Sequence, residues 1–303
     1  MRDPHAYAWG YDLGGESLSE DWRKRGEMCP GCARMDRLTI GPQVANLPHK
    51  AARFLIFIAV LLCQGQDAKW SLVWADYFDG PAGSAPDRSK WMFDVGATGW
   101  GNDELQDYKR ENVFLDGHGH LVIRAIRTAP GKYTSGRIKT QGLFEVQYGK
   151  IEASIKIPRG QGVWPAFWML GKDISDVGWP RSGEIDVMEN VGKEPSIVHG
   201  TVHGPGYSGA EGISAGRALG GGRKFHVYGV VWSADSIDFF VDGNAYSKVT
   251  RASLPADGVW IFDKPFFLLL NLAIGGDWPG DPDSATRFPQ SMLVDWVKVW
   301  KPL

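Results

Sequence analysis

After Cys63 the chain has no cysteine; the only three are Cys29, Cys32 and Cys63. Whatever folds downstream holds no disulfide and is maintained by packing alone. Cys29-Pro30-Gly31-Cys32 is a lone C-x-x-C, without the second pair a zinc site needs or the βαβ context of a redox site. Charge of one sign is lacking too: 33 basic and 35 acidic residues give a formal net charge of -2. Neither nucleic acid nor an anionic membrane is implied as a partner. No apolar run reaches the roughly 20 residues of a membrane-spanning helix. Beyond residue 70 no long, capped 3.6-residue pattern occurs, which excludes an α/β barrel.

Glycine (39), proline (18) and tryptophan (14) are plentiful in the 303 residues. Gly and Pro at this level signal many tight turns between short strands. Tryptophan serves either core packing or flat platforms for sugar rings, and composition alone favours packing.

Residues 1–49 are mixed and polar, without sustained periodicity, and read as an unstructured or mis-annotated leader. Lys50-Ala51-Ala52-Arg53 then precedes the apolar run Phe54–Leu62, so residues 50–68 resemble a signal peptide, with cleavage near Gly65 or Ala68. Export is therefore expected. A buried strand is the competing reading, and the position suggests a true start further downstream, for instance at Met35. Cys63 resembles a lipoprotein acceptor cysteine, but the bulky Leu62 before it argues against lipid anchoring.

Residues 70–303 read as one all-β domain. Ile151–Ile157 alternates apolar and polar residues, the period of a half-buried strand. Phe225, Val227, Gly229 and Val231 alternate similarly, as do Ile237, Phe239 and Val241, and Asp242-Gly243 signals a hairpin. Pro265–Leu272 is a continuous apolar run, expected for a strand buried on both faces. A dozen or more short strands fit two packed antiparallel sheets in a jelly-roll sandwich.

The most informative segment is Gly183-Glu184-Ile185-Asp186-Val187-Met188-Glu189-Asn190. Glu184 and Asp186 share one strand face, and Ile185 and Val187 point to the other. Strict alternation would send Glu189 into the core, a costly place for a carboxylate. A β-bulge near Met188 returns it to the face of the other two acids. The two glutamates are then about four strand steps apart, ~13 Å between Cα atoms. Side chains leaning inward leave their carboxyls about 5 Å apart, the spacing of a retaining glycosidase. One glutamate must be ionised to attack and the other protonated to donate, while Asp186 between them can hydrogen-bond Glu184. Three adjacent acids should titrate as a coupled unit. The plain alternative is a solvated acidic face.

This segment resembles the active-site strand of glycoside hydrolase family 16, in its laminarinase (endo-β-1,3-glucanase) branch. Similar family segments are Tyr133–Ile138, Tyr148–Ala153, Gly162–Leu170, Val198–Gly204 and Gly275–Gly280. The resemblance implies a concanavalin A-like jelly-roll β-sandwich with an open substrate cleft. It also implies nucleophile Glu184, acid/base Glu189 and supporting Asp186. Met188 as an extra residue matches the bulged branch and argues against a strict lichenase. Carried over as substrate-binding residues are Asn102, Glu104, Arg137, Trp164, Trp168, His203 and Trp278. Each has a simpler alternative: Trp164 and Trp168 as core, His203 as a structural histidine, Arg137 as the partner of a sheet carboxylate. The family often holds a structural calcium ion, for which Asp295 and the Gly119 carbonyl are the matching residues; Tyr77 stands where relatives commonly carry a glutamate. No catalytic cofactor is implied. The expected partner is a β-glucan polysaccharide, attacked by a secreted, monomeric endo-enzyme with no protein partner. Competing readings are a relative acting on mixed-linkage glucan or galactan, a transglycosylase, and a non-catalytic glucan-binding protein.

Overall fold

The computed structural model describes residues 70–220 and 224–303. The leader and the signal-like segment therefore lie outside the described residues. Two sheets account for nearly all regular structure. The seven-stranded sheet runs in the order β12 (Ile213–Ala218), β11 (Ile197–His203), β10 (Glu184–Glu189), β9 (Val163–Gly171), β16 (Phe266–Ile274), β7 (Arg137–Lys139) and β2 (Met92–Asp94). In the ten-stranded sheet the order is β15 (Asn244–Thr250), β14 (Ser236–Val241), β13 (His226–Trp232), β8 (Gly149–Lys156), β17 (Gln290–Pro302), β5 (Leu121–Ala129), β6 (Lys132–Ser135) and β3 (Gln106–Tyr108). β1 (Trp70–Asp76) also pairs with β17, and β4 (Val113–Leu115) with β5. Among the described residues the one α-helix is the single turn α1 (Ile174–Val177).

The core lies between the sheets. From the seven-stranded sheet it takes Val163, Phe167, Ile185, Val187, Met188, Val198, Val202, Phe266, Leu268 and Leu270; from the other, Ile151, Ile155, Tyr228, Val230, Trp232, Ile237 and Phe239. β14 buries Ile237, Phe239 and Val241 as its alternation requires. Asp242 and Gly243 follow with φ of 50° and 74°, the paired positive values of a tight hairpin turn.

β16 is buried at all nine positions. One of its faces joins the main core; on the other, Phe267 and Leu269 pack with Leu170, Trp168 and Ile174 in a second small cluster. β13 differs from its expected face. The residues sent into the core are Tyr228, Val230 and Trp232, while Val227 and Val231 are half-exposed. Both faces of that strand carry apolar side chains, so alternation alone does not choose between them.

Candidate active site

β10 carries the acids, and its register with its neighbours fixes where they point. Against β9, Asp186 pairs with Trp168 and Glu189 with Ala166, with a register shift between Asp186 and Met188. Against β11, Glu184 pairs with His203, Asp186 with Thr201 and Glu189 with His199, with the shift again after Asp186. The extra residue buries Val187 and Met188 together in the core. Glu189 is thereby returned to the face of Glu184 and Asp186, as the bulge reading requires.

Tryptophan N–H groups hold the two glutamates. Trp164 Nε1 donates to Glu189 Oε1 at 2.9 Å, and Trp179 Nε1 donates to Glu184 Oε2 at 2.8 Å. Asp186 is 2% exposed; its carboxyl shares a hydrogen bond with Glu184, and its Oδ2 lies 3.2 Å from His203 Nε2. Burial is the main force on all three acids, and it raises all three above their ordinary range. At Glu184 the charge of Asp186 adds to that effect, while His203 and the Trp179 N–H oppose it. Glu189 is pushed up to about 7 by burial, then by the charge on Glu184, with His203 and the Trp164 N–H opposing. Such a cluster retains protons at neutral pH, which a general acid requires.

Aromatic rings surround the acids. Trp278 meets Trp164 edge to face at 5.7 Å and His199 at 5.1 Å. Gly276, at φ 115°, passes so close that a Cβ there would lie 2.9 Å from the Asn102 carbonyl oxygen and 3.4 Å from the Trp164 ring. Only glycine lets the Trp278 loop approach in this way. Arg137 is held between two rings, its guanidinium carbon 4.7 Å from Trp100 and 4.8 Å from Trp168. Its Nε also bonds Asp94 at 3.0 Å, so the simpler reading, pairing with a sheet carboxylate, holds for this residue alongside its place between the rings.

Behind Trp168 runs a chain of polar groups. Trp168 Nε1 donates to Asn271 Oδ1 at 2.7 Å, and Asn271 Nδ2 donates to the Tyr108 hydroxyl at 3.0 Å. That hydroxyl donates to Glu104 Oε2 at 3.1 Å, which also accepts from Gln106 at 2.6 Å. Asn102 donates to the other Glu104 oxygen at 3.2 Å. Burial raises Glu104 despite these donors and the positive charge of Arg137. Glu104 is thus the end of a network that fixes the Trp168 ring through its indole N–H.

Of the residues singled out from sequence, Glu184, Asp186, Glu189, Trp164, Trp168, His203 and Trp278 converge around β10; Arg137 stacks on Trp168, and Asn102 and Glu104 belong to the network behind it. Asp295 and Gly119 do not join them. Gly119 precedes Leu121, which pairs with Val294, so both residues lie at one end of the β5–β17 ladder in the other sheet. Asp295 there acts electrostatically on Lys298, whose ammonium sits 4.1 Å from the Trp296 ring and 5.1 Å from that of Tyr77. Calcium takes six to eight oxygen ligands. Tyr77 stands there in place of a carboxylate, so Asp295 and the Gly119 carbonyl are the two groups that the sequence matches to such a shell. Trp179, Trp100, His199 and Asn271 were not singled out from the sequence. The Trp179-Pro180 pair just before the acidic strand was the one available signal, but its reach to Glu184 depends on how the loop bends.

The same architecture recurs in known proteins. The model of the family described as Glycosyl hydrolases family 16 matches residues 101–298. The Beta-glucanase of Rhodothermus marinus is 41% identical over 251 residues, covering 77% of this chain and 85% of that protein. The endo-beta-1,3-glucanase of Pyrococcus furiosus superposes with a TM-score of 0.73 at 46% identity, covering 78% of this chain and 97% of that one. The laminarinase catalytic domain of Thermotoga maritima MSB8 gives 0.72 at 43%, covering 77% and 99%. With two mainly antiparallel sheets, a bulged acidic strand and these relatives, the chain belongs to glycosyl hydrolase family 16.

Proposed function

We propose that this protein is an endo-acting, retaining β-1,3-glucanase with Glu184 as nucleophile and Glu189 as acid/base. The observation that carries this reading is the bulged strand. It sets both glutamates on one face, each accepting a single indole N–H, with Asp186 between them. The name of the Pyrococcus relative, an endo-beta-1,3-glucanase, supports the linkage and the internal mode of cleavage.

The hydrogen bond between Asp186 and Glu184 requires one proton between two carboxyls. Attack requires that proton to rest on Asp186, which then donates to an ionised Glu184, as does the Trp179 N–H. Glu184 attacks the anomeric carbon as Glu189 gives its proton to the departing glycosidic oxygen. A covalent glycosyl–Glu184 ester forms and the glycosidic bond breaks. Glu189, now ionised, takes a proton from water, whose oxygen attacks the same carbon and releases Glu184. Two inversions retain the β configuration. Trp164, Trp168 and Trp278 supply apolar faces for sugar rings, with Asn102 and Arg137 beside them for hydroxyls.

Neither step needs a metal or organic cofactor, and calcium at Asp295 and Gly119 is not part of this reading. The basic-then-apolar order of residues 50–68 supports export as a single catalytic domain, residues 70–303.

Release of reducing ends from laminarin, compared with lichenan, tests the function. The reading requires laminarin to be cut, with β-configured new ends by NMR and faster turnover than on lichenan. A folded protein inactive on both glucans overturns it.

A further inference from the structure

The acid cluster also has the makings of a metal site. One ligand atom from each of Glu184, Asp186 and His203 lies within 4.8 Å of the others. Pairing of Glu184 with His203 across β10 and β11 fixes two of them side by side. A second, independent observation is the state of Asp186 Oδ2. This oxygen is fully buried, on a side chain 2% exposed, and accepts no hydrogen bond. It faces His203 Nε2 at 3.2 Å without hydrogen-bond geometry. A buried carboxyl oxygen left without a partner is costly, and a cation would satisfy it.

We propose that Glu184, Asp186 and His203 bind a borderline divalent transition metal, Zn²⁺ as the reference ion, in competition with the glucan. The donor set selects the ion. One imidazole nitrogen with two carboxylate oxygens suits Zn²⁺ or Cu²⁺, whereas Ca²⁺ and Mg²⁺ prefer more numerous, all-oxygen shells. Three protein ligands leave a fourth position for water, the arrangement of an open zinc centre. Zinc bonds of about 2.0–2.2 Å place tetrahedral ligands roughly 3.4 Å apart. The three groups must therefore draw together by about an ångström. Glu184, half-exposed at the start of its strand, supplies that movement. Two ionised carboxylates and a neutral imidazole cancel the two positive charges of the ion, so binding displaces protons from the cluster.

The competition rests on the reading of Glu184 as nucleophile. A metal on its oxygens engages the lone pair that attacks the sugar and fills the space of the reacting ring. Metal occupancy is then a reversible off state of the enzyme.

The test is calorimetric titration of the full chain with Zn²⁺. Because Cys29, Cys32 and Cys63 also bind zinc, wild type is compared with His203→Asn and Glu184→Gln, which retain all three thiols. The wild type should show one zinc site that each variant binds at least tenfold more weakly. Saturating laminari-oligosaccharide should abolish that site. In wild-type turnover, Zn²⁺ should raise apparent KM without changing kcat, and EDTA should reverse the effect. Circular dichroism and Tm check that each variant is folded; if His203→Asn is not, Glu184→Gln carries the comparison. Equal zinc affinity in wild type and a folded variant overturns the site. Zinc binding as expected in a chain that, zinc-free, cuts no glucan upholds the site and overturns the glucanase reading.

Discussion

Glu184 and Glu189 lie five residues apart on one strand and each accepts one indole N–H, yet their surroundings differ. Trp179, which serves Glu184, is 47% exposed and belongs to a loop. Trp164, which serves Glu189, is part of the neighbouring strand β9 and is itself braced by Trp278. Glu184 has Asp186 and His203 beside it; Glu189, 9% exposed, sits among rings. The difference teaches how one strand can hold two carboxyls in the opposite charge states that the proposed mechanism needs. At the first, His203 and the Trp179 N–H favour the anion against burial and the charge of Asp186, and the second is kept dry enough to hold a proton near neutrality.

Removing the proposed nucleophile has the largest expected effect. Glu184→Gln should lower kcat on laminarin by about four orders of magnitude or more while leaving Tm and oligosaccharide binding close to wild type. Glu189→Gln should cost about 10²–10⁴-fold on laminarin. On an aryl β-glucoside whose leaving group needs no proton, the glycosylation step should recover, and added azide should accelerate deglycosylation. Recovery by Glu184→Gln instead would reverse the two assignments.

How much of this was legible in the sequence follows from which forces act locally. The bulge was readable because Glu189 would otherwise point into the core, and Val187 and Met188 do fill that core together. Burial of β16 and the Asp242-Gly243 turn followed from an unbroken apolar run and a dipeptide suited to positive φ. The inward face of β13 did not follow, since Val227 and Val231 are as apolar as Val230. Nor did the network behind Trp168. Asn271 and Tyr108 are 163 residues apart in sequence, and nothing local to either announces the other. Trp179 was hidden for a similar reason, its contact being made by a loop rather than by strand periodicity.

Donor removal sharpens the comparison at a smaller scale. Trp179→Phe and Trp164→Phe each delete one hydrogen bond to a charged or buried carboxyl, worth about 1.5–3 kcal/mol. Both should lower kcat by roughly 10- to 100-fold, but they should move opposite limbs of the pH profile. Losing the Trp179 N–H raises Glu184 and shifts the acidic limb upward. Losing the Trp164 N–H raises Glu189 and shifts upward the basic limb, which in wild type falls near pH 7.

Stability gives the smallest effect. Folded Glu189 titrates at about 7 against 4.5 in the unfolded chain. Its contribution is therefore full below about pH 4.5 and lost as pH rises through 7. Glu189→Gln, which cannot ionise, should raise Tm by roughly 10 °C at pH 8 and change it little at pH 4. An equal shift at both pH values would indicate a packing effect unrelated to the buried charge.

The most direct test of the central claim is the identity of the glycosylated side chain. A 2-deoxy-2-fluoro-β-laminaribiosyl fluoride should trap the covalent intermediate, since fluorine slows its hydrolysis more than its formation. Peptide mass spectrometry of the trapped enzyme should locate the sugar on Glu184. A label on Glu189 or Asp186, or inverted product with no label in an active enzyme, would contradict the account.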